Sequence, residues 1–406
     1  MNLPENVQFE ILLNTPYRDI INLCKTSKSF DKICQKPYLW ARKAELDFGI
    51  IPQDLQHIPG DTNKDKYIWI MKADPEVGLD QASSIGSLPL VKYFLDKGAK
   101  DYNQAMAYAA GGGHLDIVKM MLKLGAKDYD WAMAYAAEGG HLDIVKMMLK
   151  LGADEYDRAM AHAARGDHLD IVKMMLKLGA KNYDLAMSFA ARGDHLDIVK
   201  MMLDLGATDY DPAMSSAAEG GHLDIVKMML KLGAKDYDRA MSSAAEGGHL
   251  DIVKMMLDLG ATDYDLAMSS AAGGGHLDIV KMMLDLGATD YDRAMPEAAG
   301  GGHLDLVKMM IDLGAENYDS GMIEAAGNGH LNVVKFLLGK SKQEGKSYDI
   351  NEIIHTAASL GQAEILRFLL ENETSDIDYD TIIELALKDK QYKIVALVAD
   401  YVANNV

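Results

Sequence analysis

This sequence predicts an all-α protein in which a short helical module precedes a solenoid of about twelve helix pairs, one pair every 27 residues. Three observations predict it. A histidine-centred motif recurs at one fixed interval. The apolar residues within each interval keep a helical period. Residues 1–48 follow neither rule.

The motif is Gly or Asp, then His-Leu, Asp or Asn, an aliphatic residue, and Val-Lys. Its histidines are His114, His141, His168, His195, His222, His249, His276, His303 and His330, each 27 residues from the next. One degenerate unit lies upstream, where Gly86-Ser87-Leu88 takes the Gly-His-Leu place. Two lie downstream, around Gly361-Gln362 and Lys390-Gln391. Residues 75–101 and 379–406, the least regular units, are expected to supply the polar ends that a stacked array requires.

Tyr129–Ala153 shows what one unit builds. Tyr129, Ala132, Met133, Ala136 and Ala137 fall at i, i+3, i+4, i+7 and i+8, the stripe of an amphipathic helix. Asp130 stands where an N-cap is expected. In a sister unit Pro212 follows Asp211, at the position where proline opens helices. Gly139-Gly140 should end this helix. In the second half Leu142, Ile144, Val145, Met147, Met148, Leu149 and Leu151 are apolar, and only Asp143, Lys146 and Lys150 are polar. That helix is expected to be buried on most sides with one wet edge, and to stop at Gly152. Only a neighbouring pair can cover these faces. The paired alanines allow close backbone approach, and the methionines fill irregular gaps.

Composition excludes several function classes. The formal charge is −20; residues 1–48 hold 7 Lys+Arg and 6 Asp+Glu, so the remaining 34 basic and 55 acidic residues give the rest −21. A surface this acidic repels phosphate, so neither nucleic acid nor an anionic membrane is an expected partner. Cys24 and Cys34 are the only cysteines. They make no disulfide framework, fit a reducing compartment, and are expected as buried packing groups, not nucleophiles. The opening MNLPENVQFE has no basic region leading into an apolar run, and no stretch reaches the ~18 apolar residues of a membrane span. A cytoplasmic or nuclear protein is expected, with the sequon Asn372-Glu373-Thr374 unglycosylated.

Apparent chemical signals have plainer explanations. Stacked helices lie ~8–10 Å apart, whereas zinc needs its nitrogens ~2.0–2.1 Å away. The histidines are therefore expected as turn or cap residues. Gly339-Lys340-Ser341 and Gly345-Lys346-Ser347 miss the P-loop spacing and are expected as a solvated insertion. The Asp-Tyr-Asp triplets lack the later Gly and Glu of a calcium loop. No catalytic constellation, metal site or cofactor site is expected.

The run Ala136–Ala153, AAEGGHLDIVKMMLKLGA, resembles the ankyrin repeat. The resemblance covers roughly residues 75–406. It implies a concave face lined by the first helices, where partners bind. Ankyrin units usually run ~33 residues with a TPLH stretch and a β-hairpin finger; here TPLH is absent, and the missing length matches that finger. Helix pairs with short connections and little or no sheet are expected. Short, nearly identical units of this kind are similar to arrays encoded by large DNA viruses of protists.

Residues 1–48 read as short helices punctuated by Pro4, Pro16 and Pro37, too few to bury a good core alone. Leu3-Pro4, Ile11-Leu12, Pro16 with Asp19-Ile20, and the closing Leu39-Trp40 resemble the F-box. The resemblance implies docking on a Skp-type adaptor of a cullin–RING ubiquitin ligase, through Leu3, Pro4, Ile11, Leu12, Pro16, Ile20 and Leu23. Phe30 stands where the family often has Trp. Residues 49–74 are expected as a linker.

Among otherwise matching units a few first-helix positions vary. They hold Trp, Tyr and Arg, the side chains that most often anchor interfaces. Tyr108, Trp131, Tyr135, Arg158, His162, Arg165, Phe189 and Arg192 are the expected target-binding patch. Drift at tolerant exposed positions would leave the same variation. The expected function is a non-catalytic substrate receptor of a Skp–cullin–F-box ligase, monomeric outside that complex. The alternative is a ligase-independent scaffold or decoy.

Overall fold

The computed structural model describes residues 3–373, 377–388 and 391–405. Met1, Asn2, Thr374 and Lys390, which the sequence reading uses, lie outside them. Two units are described separately, Met1–Asn182 and Tyr183–Val406. No strand occurs among the described residues, and no described helix is long and apolar enough to cross a membrane.

The first unit opens with α1 (Glu5–Leu13), α2 (Tyr17–Thr26), α3 (Lys28–Cys34) and α4 (Pro37–Phe48). Pro4 and Pro16 occupy the N-cap places of α1 and α2, and Pro37 is in the first turn of α4, where a missing N–H costs nothing. Leu12, Ile20, Ile33, Leu39, Trp40 and Ala44 fill the space between these helices. Trp40 Nε1 donates to the Cys34 carbonyl at 2.7 Å. The buried Lys43 amine donates to the Leu13 carbonyl at 2.9 Å and pairs with Asp47 at 2.8 Å, which satisfies a charge that would otherwise be costly to bury.

Two expectations fail here. Cys24 and Cys34 are disulfide-bonded, with Cα atoms 6.0 Å apart; ten residues of spacing did not reveal that α2 and α3 fold back on each other. Residues 49–74 are not a bare linker. They contain α5 (Pro52–Leu55) and α6 (Asn63–Lys72), the latter opened by a capping box between Thr62 and Asp65. Ile50, Leu55, Ile58, Tyr67 and Ile70 are buried. The Tyr67 ring lies 5.4 Å from Trp40, 5.2 Å from Phe48 and 5.8 Å from Tyr17, and its hydroxyl donates to Asp47. The short N-terminal module thus completes its core with residues that follow it.

Four helix pairs finish this unit: α7 (Pro75–Ser84) with α8 (Leu88–Asp96), α9 (Tyr102–Gly111) with α10 (Leu115–Leu124), α11 (Tyr129–Glu138) with α12 (Leu142–Leu151), and α13 (Tyr156–Arg165) with α14 (Leu169–Leu178). The first pair is not the polar end expected for residues 75–101. Phe48 and Tyr93 stand edge to face at 4.9 Å, Trp69 and Phe94 at 6.4 Å, so aromatic packing joins α8 to the N-terminal module.

Within a pair the stripe of α11 is buried as expected, at Ala132, Met133, Ala136 and Ala137. α12 is more exposed than its composition implied. Only Ile144, Val145 and Met148 are fully buried, and Leu151 faces solvent. Gly139 and Gly140 end α11, and Gly152 ends α12 in the left-handed conformation. A Cβ on Gly139 would meet the Gly111 carbonyl oxygen at 2.2 Å; glycine is what lets successive pairs approach.

Asp130 is not the N-cap. That residue is Asp128, whose carboxylate accepts from Trp131 N at 3.3 Å. Asp130 lies in the first turn, and its Oδ1 accepts from the backbone of the next connection, Asp154 N at 2.8 Å and Glu155 N at 3.0 Å. Asn103 does the same for residues 127 and 128 at 2.7 and 3.1 Å. These carboxylate and amide oxygens tie unit to unit where a hairpin finger would otherwise stand. Asp130→Ala should cost about 2 kcal/mol, read as a lower urea midpoint with faster amide exchange at residues 154–155. Asp130→Asn should cost far less, since Asn103 already performs the task.

The second unit holds eight further pairs, from Tyr183–Arg192 with Leu196–Asp204 to Tyr379–Lys388 with Tyr392–Asn405. The same staple recurs, as in Asp238, which accepts from Thr262 N at 2.6 Å and Asp263 N at 2.8 Å. Asp194 takes the left-handed position that glycine fills in most units, φ 65°, and its carboxylate lies 3.7 Å from His222 Nδ1. Gly339–Ser341 is no solvated insertion: Leu331–Glu344 is one continuous helix, Ser341 is buried, and its hydroxyl donates to the Lys346 carbonyl at 3.2 Å.

Each motif histidine stands at the N-cap of a second helix. His249 Nε2 donates to the Glu219 carbonyl at 3.0 Å and His276 Nε2 to the Glu246 carbonyl at 3.0 Å, satisfying oxygens that a helix C-terminus leaves unpaired. Gln362 makes the equivalent bond to the Gly327 carbonyl at 2.9 Å. His249→Gln should therefore be nearly neutral, and His249→Ala should cost about 1–3 kcal/mol in chemical denaturation.

Candidate functional site

Two surfaces carry the residues expected to bind. On the N-terminal module Leu3 is 46% exposed and Ile11 36%, with Pro4 and Pro16 exposed and Leu23 half-buried. Leu12 and Ile20 are fully buried. They belong to the module's core and not to its surface, which corrects the expectation for both. Val7, 39% exposed, was missed. It lies one helical turn before Ile11 on α1, and that spacing could have found it. Tyr38 is also exposed, with its ring 5.1 Å from Phe9.

The second surface is the first-helix face of α9, α11 and α13. The variable positions fall there because the constant ones, Ala and Met, point inward. Trp131 and Tyr135, one turn apart on α11, stack at 5.5 Å with 19° between planes. The Arg158 guanidinium lies 4.8 Å from the Trp131 centroid, close enough for a cation–π contact. Tyr108 meets Tyr135 edge to face at 5.9 Å, and His162 stacks on Tyr135 at 6.1 Å. Trp131 remains 40% exposed. The rings thus form a continuous, mutually braced surface open to solvent.

Charge on this face is internally paired. Glu138 accepts from His162 Nδ1 at 2.7 Å and lies 3.6 Å from Arg165. The His162 hydrogen bond, aided by Arg165, holds the Glu138 carboxyl below the usual range although burial opposes it. Arg158 pairs with Glu155 at 3.2 Å. Asp80 borders the face through Gln104, which donates to it at 2.7 Å. Burial first, then the Asp101 charge, pushes the Asp80 carboxyl up to about 7.

Phe189 and Arg192 belong to the second unit. Phe189 is half-buried, and Arg192 is exposed and paired with Glu219. Farther along that unit the first-helix face changes character. A groove of 680 Å³ is lined by Glu219, Glu246, Glu297 and Glu324 with Ser269, Ser270 and a single Arg293. Rings are replaced by carboxylates and hydroxyls.

Comparison with protein families matches residues 79–159, 187–266 and 322–406 to ankyrin repeats, in three copies, and residues 1–42 to the F-box domain. No curated protein matches the chain. Both families are typically non-catalytic interaction modules. The repeat matches span more than half of the sequence, so the chain belongs to the ankyrin-repeat family, with an F-box domain preceding its repeats.

Proposed function

We propose that the chain is the substrate-receptor subunit of a Skp–cullin–F-box ubiquitin ligase. The observation that carries this reading is the presence, in one chain, of an F-box with an exposed Leu3–Val7–Ile11 row and a repeat face with exposed anchor residues. The row would dock on a Skp-type adaptor. Tyr108, Trp131, Tyr135, Arg158, His162 and Arg165, on the first unit, would hold a target; Phe189 and Arg192, on the second unit, are read separately as target contacts. Catalysis belongs to other subunits. The chain contributes proximity, raising the target's effective concentration beside the conjugating enzyme.

The chain is read as a viral protein, on the resemblance of its short units to arrays of large DNA viruses of protists, acting in the host cytoplasm or nucleus. Outside the complex it is a monomer. Tagged chain purified from eukaryotic lysate should recover a Skp-type adaptor and a cullin, and its co-expression should shorten the target's half-life. Recovery of a target with neither subunit, and with the target's half-life unchanged, would identify a scaffold or decoy instead.

A further inference from the structure

We propose that the Cys24–Cys34 disulfide is a thiol-exchange site, entered at Cys24 from a lysine-lined cleft and served by a small anionic thiol. The two sulfurs are not equally reachable. Cys34 is 2% exposed and sits beneath Trp40, whose indole donates to the Cys34 carbonyl. Cys24 is 8% exposed and lines a cleft of 650 Å³ between α2, the start of α3 and α6. A nucleophile must therefore arrive on the Cys24 sulfur, with Cys34 as the leaving group.

The cleft also selects the nucleophile. Lys25, Lys28 and Lys64 line it against one carboxylate, Asp31, and the Thr26 and Ser27 side chains add polar groups. Three cations lining one cleft concentrate anions and favour thiolates over thiols. A peptide-sized thiol carrying net negative charge fits this chemistry better than a neutral or cationic one.

The exchange balances without an external oxidant. The thiolate RS⁻ attacks Cys24 Sγ, the S–S bond breaks, and Cys34 leaves as a thiolate that takes a proton from water. The Cys24–S–S–R mixed disulfide is then attacked by a second RS⁻, which releases RSSR and leaves Cys24 as thiolate. The protein disulfide gains two electrons and two molecules of thiol lose them. Because the chain has no other cysteine, no internal reshuffling competes. What the exchange releases is the covalent tie between α2 and α3, on either side of the turn at Ser27.

The test uses the full chain, purified without reductant, with thiols counted in denaturant. It is then exposed to glutathione or to cysteamine, an anionic and a cationic thiol, quenched with acid partway, digested and analysed by mass spectrometry. The mixed disulfide should lie on Cys24 with Cys34 free. The ratio of glutathione to cysteamine rates should fall roughly tenfold in the Lys25→Gln/Lys28→Gln/Lys64→Gln variant. Should that variant fold poorly, Lys28→Gln alone should shift the ratio in the same direction. Two free thiols in the untreated chain, a mixed disulfide on Cys34, or a rate ratio indifferent to the lysines would each overturn the proposal. None of these readings depends on whether the F-box engages an adaptor.

Discussion

Aspartate at Leu3 and Ile11 together is expected to abolish capture of a Skp-type adaptor without unfolding the chain. Both side chains are exposed and flank the exposed Val7, so carboxylates there meet water in the free protein and leave the core untouched. In a complex the same carboxylates would have to be desolvated against an apolar partner. Burying an unpaired charge costs several kcal/mol, and about 3 kcal/mol already weakens affinity more than a hundredfold. Far-UV circular dichroism and the urea midpoint should match the parent. Leu12→Asp serves as the contrast: Leu12 is fully buried, so that variant should lose the module's fold and reveal nothing about docking. Undiminished adaptor recovery with Leu3→Asp/Ile11→Asp would reject the assigned face.

How much of this was legible before the structure depends on which interactions are local. The 27-residue interval is a plain recurrence, the Ala–Met stripe and the Gly-Gly stop are local patterns, and the helices follow them closely. Asp130 was misplaced for the opposite reason. Its partners, Asp154 N and Glu155 N, are backbone groups of the next unit, and no local pattern distinguishes a cap from a staple. Leu151 looks like core by composition, yet it is exposed at the C-terminal end of α12. Tyr67 belongs to the N-terminal core although it stands in a stretch with no period. Leu12 and Ile20 fail as docking residues because a family motif contains both core and surface positions, and only packing separates them. The variable positions were legible as variable, and the one-turn spacing of Trp131 and Tyr135 on α11 is local; their contacts with Tyr108, Arg158 and His162 were not legible, since those need the spacing between α9, α11 and α13.

That stacking sets the second large effect. Trp131→Ala is expected to weaken target capture by about 2–4 kcal/mol, a loss on the order of 30- to 1000-fold, while adaptor recovery is unchanged. Trp131 is the largest exposed side chain of the face, and its ring is already held by Tyr135 at 5.5 Å and by the Arg158 guanidinium at 4.8 Å. A side chain ordered before binding loses little conformational entropy on binding. Tyr135→Ala removes the same support from the other side, because Tyr135 also contacts Tyr108 and His162. The two substitutions should therefore not add. A double-mutant cycle should give a coupling of about 0.5–3 kcal/mol, whereas a surface of independent rings would give none. Arg158→Ala provides a gradation: it frees one face of the indole without removing it, and should cost less than the loss of Trp131 itself. Phe189→Ala tests the second unit by itself: a loss of capture would make Phe189 a target contact there. Target capture equal to the parent's after loss of both Trp131 and Tyr135 would mean that these rings brace the array and nothing more, and would move the search for the target site to the glutamate-lined groove of the second unit.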